Sequence, residues 1–194
     1  MKPTYANFEA KKAVFLEMPP VGAYIGEIKN VNLIDPTEKN PHSVLELFID
    51  ITEGEYSKRF IEIFDDQKKR FGDKTSYKGV YRLTVPNEED HESDSWLDRN
   101  FANVIWTIEQ NNPGFSWDWD EKKLKLKKIG FSLRNRLYNY GGKDRSTIEI
   151  GRFDLIQDIR DGKVKPMPDR DQRSKNASAS DGYTQVDDAD VPWG

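Results

Sequence analysis

The sequence runs to 194 residues and contains no cysteine. Disulfides, thiolate zinc sites and a cysteine nucleophile are therefore excluded. Histidine is scarce: His42 and His91 stand in separate loop-like stretches without spaced partners, so both are expected to face solvent. Long apolar runs are missing too. The opening "MKPTYANFEAKKAVF" does not read as a signal peptide, and no stretch approaches a membrane span. A cytoplasmic protein without a membrane partner is the expectation. No glycine-rich phosphate loop and no nucleophile elbow occurs. The carboxylate clusters "DWDE" and "EEDHESD" match no calcium loop. No catalytic residue, metal or cofactor is expected.

What is present is charge and aromatic surface. Hydrophobic residues make up 36% of the chain and charged residues 33%, which implies a modest core under a highly solvated surface. Aromatics at 12% argue against disorder throughout. The length suits one domain with extensions.

The net charge of −4 is unevenly placed. From Asn176 onward there are four acids (Asp181, Asp187, Asp188, Asp190) and no lysine or arginine, leaving 30 acids against 30 bases in residues 1–175. Within that neutral body, Lys122 to Arg145 holds nine bases and a single acid, Asp144. Such asymmetry points to a polyanionic partner for one face and an acidic tail acting separately.

Along the chain, "VGAYIGEIKNVNLI" reads as a long strand that Gly22 and Gly26 allow to bend. "SVLELFIDI" alternates, with Leu45, Leu47, Ile49 and Ile51 on one face. "SKRFIEIF" reads as its hairpin partner, and "GVYRLTV" as a short strand. A helix follows, capped by Ser95 and Asp98, with Leu97, Phe101, Val104, Ile105 and Ile108 on one stripe; "NNPG" stops it. The stretch up to "RNRLYNY" forms a long strand, "GG" turns it, and "DRSTIEIGRFDLI" returns. Four or five bent strands with one helix suggest a small, partly closed β-barrel. After "IRDGKVKPMP" the chain becomes small, polar and aperiodic, which reads as a disordered linker.

Parity on the basic strand carries the functional reading. Ile129, Phe131, Leu133 and Leu137 share one face, while Arg134, Arg136, Tyr138 and Tyr140 share the other. Upstream the phase reverses, with Leu124 and Leu126 even-numbered and Lys123, Lys125 and Lys127 odd-numbered. A bulge near Lys127-Lys128 would reconcile the registers and present lysines, arginines and tyrosines in one row. Single-stranded nucleic acid needs that mixture: cations for phosphates, flat rings for unpaired bases. The candidate DNA-binding residues are Lys125, Lys127, Lys128, Arg134, Arg136, Tyr138, Tyr140, Lys143 and Arg145. Basic rows are also ordinary solvated faces, and lysine protects sheet edges. Trp117 and Trp119, flanked by Asp118 and Asp120, read as packing residues.

A bent barrel, a basic aromatic strand, a polar linker and a tail ending "VDDADVPWG" together resemble the bacterial and bacteriophage single-stranded DNA-binding proteins. "NNPGFSWDWDEKKLKLKKIG" with "RNRLYNY" is similar to divergent members from recombination modules of Gram-positive phages and mobile elements. The resemblance implies a mainly β fold: a five-stranded OB-like barrel with an inserted helix and a disordered acidic C-terminal tail. It also implies largely sequence-independent binding of single-stranded DNA, and a tail that recruits replication, recombination and repair enzymes. Asp187, Asp188 and Asp190 match that tail's acids, Val191 its aliphatic residue, Pro192 its proline and Trp193 its aromatic. The family ends on phenylalanine; here Gly194 follows a larger ring, which suits a cognate partner pocket better than a standard one. A homo-oligomer is compatible with the resemblance. The helix-bearing insertion exceeds the usual bacterial barrel, so the usual tetramer is not implied.

The expected organisation is an N-terminal extension (1–20), a binding domain (21–165), a linker (166–185) and a partner-binding tail (186–194). Two other function classes fit the composition. One is a protein-binding adaptor or inhibitor that turns its basic strand toward an acidic partner. The other is a small metal-dependent nuclease using the carboxylate clusters.

Overall fold

Strand β1, Gly22–Ile34, is the axis of the fold and has a different neighbour on each side. Its first half pairs antiparallel with the start of β4 (Lys128–Tyr140), from Gly22 opposite Leu133 to Glu27 opposite Lys128. Its second half pairs with β2 (Val44–Ile51), from Gly26 opposite Ile51 to Ile34 opposite Val44. The ladder slips between Ile28 and Asn30. Gly26 serves close approach: a Cβ there would lie 2.4 Å from the Asp50 carbonyl oxygen and 2.7 Å from the Phe131 ring. The structure, a computed structural model, describes residues 16–173. The extension before residue 16 and the tail residues Asp187, Asp188, Asp190, Val191, Pro192 and Trp193 lie outside the described residues.

β2 follows its alternation. Leu45, Leu47, Ile49 and Ile51 are all buried, each contributing about 1.5–3 kcal/mol of burial. The stretch after it does not form the expected hairpin strand; it forms helix α1, Arg59–Phe71. Strand parity sets Arg59, Ile61 and Ile63 against Phe60, Glu62 and Phe64, whereas Phe60, Ile63 and Phe64 fall on one helical stripe; the Asp50 carboxylate accepts a hydrogen bond from Phe60 N, which decides between the two. Strand β3, Val80–Thr84, then lies on the free side of β2.

Helix α2, Glu88–Glu92, is followed by α3, Trp96–Asn111, whose Ser95 cap accepts from Asp98 N at 3.1 Å. Phe101, Val104 and Ile108 enter the core, with Leu97 and Ile105 half-buried beside them. The two asparagines that end α3 stitch it to the sheet. Asn111 donates to Asp154 O and accepts from Ile156 N; Asn112 donates to Lys128 O and accepts from Lys128 N. β5 (Lys143–Asp154) returns along β4, and α4 (Ile156–Arg160) follows. The two-residue β6, Arg170–Asp171, pairs parallel with β4 at Arg136 and Leu137.

The protein is thus mainly antiparallel β sheet with a few helices, in strand order β3-β2-β1-β4-β5. The sheet is not closed: no ladder joins β3 to β5 among the described residues, although the Tyr81 and Phe153 rings meet with centroids 4.9 Å apart. Among the described residues four α-helices stand where the sequence suggested one.

Candidate nucleic-acid interface

The β4–β5 hairpin outlasts its neighbours. β1 leaves β4 at Leu133, and a slip after Ser132 puts Leu133 opposite Ile150. From there the strands pair residue for residue out to Tyr140 and Lys143. Gly141 (φ 58°) and Gly142 (φ 73°) make the turn, and two successive positive φ values are what a tight hairpin with natural twist requires.

Cross-strand register decides which side chains share a face. Arg134 lies opposite Glu149, Arg136 opposite Thr147, Tyr138 opposite Arg145 and Tyr140 opposite Lys143. Arg136, Tyr138, Tyr140, Lys143 and Arg145 therefore form one surface toward the tip. The Arg136 guanidinium carbon is 5.7 Å from the Tyr138 ring centroid, and that of Arg145 is 5.4 Å from the Tyr140 centroid. Each ring carries a cation beside it, within cation–π range. Tyr140 is 43% exposed. Arg134 belongs to the same face but donates from Nε to Glu149 Oε1 at 2.8 Å. Arg170 Nη1 approaches the same carboxylate at 3.6 Å.

The three lysines do not join this row. The bulge expected near Lys127-Lys128 is replaced by a 3₁₀ turn, Glu121–Leu124, followed by Leu126 in the left-handed region at φ 65°. That backbone turn, not a shifted strand, produces the reversed parity: Leu124 is buried and Leu126 is exposed. Lys125 follows the turn, and Lys127 sits over the Phe115 ring, its ammonium 4.0 Å from the centroid. Lys128 opens β4 opposite Glu27. Ten residues separate Lys128 from Tyr138, roughly 33 Å of strand, and Ile129–Leu133 between them are buried. The basic stretch is two clusters at opposite ends of one strand.

Residues 166–173, read from sequence as the start of the linker, lie against the hairpin. Gly151 leaves room for Met167, whose sulfur would stand 2.6 Å from a Cβ at that position. Arg152 Nη2 donates to Lys165 O, Asn135 Nδ2 to Asp169 Oδ1, and Arg136 Nε to Gln172 Oε1 at 2.7 Å. Gln172 N donates to Leu137 O, and Arg173 binds Asp171, holding that carboxyl down at about 2. Arg136 therefore has two neighbours on this surface, Tyr138 and Gln172.

Other side chains weighed from sequence are placed elsewhere. His42 is not solvent-facing: its Nε2 is 2.7 Å from Asp90 Oδ2, and both are mostly shielded. His91 is exposed beside Asp98. Trp117 and Trp119 pack on each other and on Phe101, with Trp119 stacked at 14° to the Phe101 ring. Asp118 pairs with Lys123, and Asp120 accepts from Lys122 N at the head of the 3₁₀ turn. Tyr81 turns inward to Phe153, while Arg82 pairs outward with Glu46. Among the described residues no group of three or more acidic or histidine side chains converges as a metal site. Sequence reasoning missed Lys78, which is half-buried ahead of β3; burial pulls its ammonium down to about 8. No local pattern marks it, because its surroundings come from three distant segments.

No family model and no curated protein matches this chain, so the chemistry of the hairpin is read from its own residues.

Proposed function

We propose that the protein is a non-enzymatic binder of single-stranded DNA, largely indifferent to base sequence, with the β4–β5 hairpin as its contact surface. One observation carries the reading: two tyrosines on alternate residues of β4, each directly opposite a cation on β5. Same-face residues two apart on a strand are about 6.6 Å from each other, a spacing over which neighbouring unstacked bases lie on successive rings. Lys143 and Arg145 then meet the phosphates. The strand order β3-β2-β1-β4-β5, with α3 between β3 and β4, supports an OB-type arrangement in which β3 and β5 approach through Tyr81 and Phe153 without pairing. Lys125, Lys127 and Lys128 form a second, separate basic cluster that a longer strand would reach. The acidic tail at Asp187–Trp193 recruits a replication or recombination enzyme in this reading, on the strength of its sequence.

Titration of the full chain with labelled oligo-dT and with a matched duplex, at low and moderate salt, tests it. Tight, salt-sensitive binding to the single strand alone is expected; equal or absent binding to both overturns it. A protein-binding adaptor is the second reading, favoured by the β4 edge already accepting a strand, β6. Such an adaptor would not cover long single strands stoichiometrically.

A further inference from the structure

Trp119 combines a strained backbone with an exposed ring. Its φ of 70° lies in the left-handed region, which a bulky side chain adopts only under strain. Burial does not offset that strain, because Trp119 is 68% exposed. Trp117, two residues earlier, is placed in the opposite way. It is half-buried, its Nε1 donates to Asp120 O at 3.0 Å, and its backbone N donates to Glu109 Oε1 at 2.8 Å. The Trp119 ring lies at 14° to Phe101 with centroids 5.9 Å apart, and its centroid is 4.9 Å from that of Trp117. Phe101 and Trp117 are themselves 5.7 Å apart, so both back the indole from one side. A flat surface of fixed orientation is left facing solvent, which is the form of a stacking platform for an unpaired base.

Cations stand beside this ring. The 3₁₀ turn Glu121–Leu124 begins two residues on, and Lys125 N donates to Lys122 O at 3.2 Å to close it. Side chains three apart eclipse in such a turn. Glu121 and Leu124 form its inner row, with Leu124 fully buried, which leaves Lys122 and Lys125 in one exposed row. Among the described residues neither of these lysines enters an ion pair; the pair at this turn is Lys123 with Asp118. Asp120, the other acid next to the ring, accepts from Lys122 N as the cap of the turn. Three residues of chain span at most about 10 Å, so one nucleotide can lie on the ring and meet Lys122 through its phosphate.

We infer that Trp119 is a second base-stacking position for single-stranded DNA, with Lys122 and Lys125 taking the flanking phosphates. It belongs to the lysine end of β4, apart from Tyr138 and Tyr140 at the hairpin tip. This rests on the single-strand reading above and gives the second basic cluster the ring that a bound strand needs there.

The test is binding of the full chain to labelled oligo-dT across about 50–200 mM salt, read by anisotropy and by tryptophan quenching. Trp119→Ala should weaken binding by about 5- to 150-fold, the range that one stacked base supplies. Trp119→Phe should keep most of the affinity and lose part of the quenching. Trp119→Gly suits the left-handed backbone, so it should resist urea at least as well as Trp119→Ala and yet bind as weakly. Binding recovered in Trp119→Gly would make the ring structural and overturn the platform. The exposed pair Lys122→Gln with Lys125→Gln tests the phosphates. Each lost contact reduces the slope of log K against log salt by about 0.7, so wild type should lose about 7-fold more affinity than this double variant over that range. Unchanged affinity, slope and quenching in all these variants, with Tyr138→Ala weakened, would remove the position and leave the hairpin reading standing. A wild type that binds no single strand would remove both.

Discussion

Asp50 Oδ1 accepts hydrogen bonds from Phe60 N at 3.1 Å and from Ile51 N at 2.9 Å, so a carboxylate at the end of β2 caps a helix that begins nine residues later. The residue at the cap position, Lys58, stands at φ 63° and supplies no capping side chain. Asp50 is fully buried, and its Oδ2 has no protein partner among the described residues. Sheet and helix are joined through this one carboxylate oxygen and through Lys58 N, which donates to Ile51 O at 2.8 Å.

Truncating that link should be expensive. Asp50→Ala leaves two buried N–H groups without an acceptor and is expected to lower stability by about 2–4 kcal/mol. Asp50→Asn keeps the acceptor and should cost less. Urea unfolding of the two variants against wild type measures both; equal values would mean that the cap is not what orders α1.

The same carboxylate gives stability an unusual pH slope. Burial raises the Asp50 pKa above its ordinary 3.8, outweighing the backbone bonds from Phe60 and Ile51 that lower it. The folded state therefore binds this proton more tightly than the unfolded one. Its stabilising contribution is complete below pH 3.8 and is lost as pH rises through the raised folded value. Exposed acids with lowered values, such as Asp171 beside Arg173, act in the opposite sense and are screened by solvent. The difference between wild type and Asp50→Asn across pH 3–8 isolates the Asp50 term: wild type should gain relative to the variant as pH falls.

On the hairpin, Tyr138→Ala and Tyr140→Ala should each weaken oligo-dT binding by about 1–3 kcal/mol, roughly 5- to 150-fold, if each ring stacks one base. Folding should be little affected, since neither residue is in the core. Phenylalanine at either position should restore most of the affinity. Failure of phenylalanine to do so would indicate that the hydroxyl, not the ring, makes the contact.

Glu149 holds back two cations, with Nε of Arg134 at 2.8 Å and Nη1 of Arg170 at 3.6 Å. Glu149→Gln should release both toward phosphate, tightening single-strand binding and steepening its salt slope by up to about 1.4. A weaker-binding Glu149→Gln would show that the carboxylate positions Arg134 productively rather than withholding it.

What the sequence revealed depended on whether one periodicity stood alone. β2 and α3 were legible because "LELFIDI" fits only alternation and "LDRNFANVIWTI" only a helical stripe. α1 was not, because Phe60 and Phe64 share a strand face as readily as they share a helical stripe with Ile63, and the deciding bond comes from Asp50, ten residues before Phe60. The arginine and tyrosine positions follow from strand parity and hold in the register of β4 with β5. The lysine row did not hold, since a single left-handed residue, Leu126, imitates a strand's change of phase. Lys78 and residues 166–173 were invisible for another reason: both are placed by contacts to remote backbone, which leave no pattern in their own neighbours.

The unequal flanking of β4 has a consequence for its amide protons. Residues 130–133 lie between β1 and β5, Arg136 and Leu137 between β6 and β5, and Tyr138 to Tyr140 pair with β5 alone. Hydrogen exchange is therefore expected to quicken in steps from root to tip, with β6 marking the intermediate step. The tyrosines stand where the fewest bonds must open, so the surface that has to adapt to an irregular single strand is carried at the compliant end of an otherwise rigid strand.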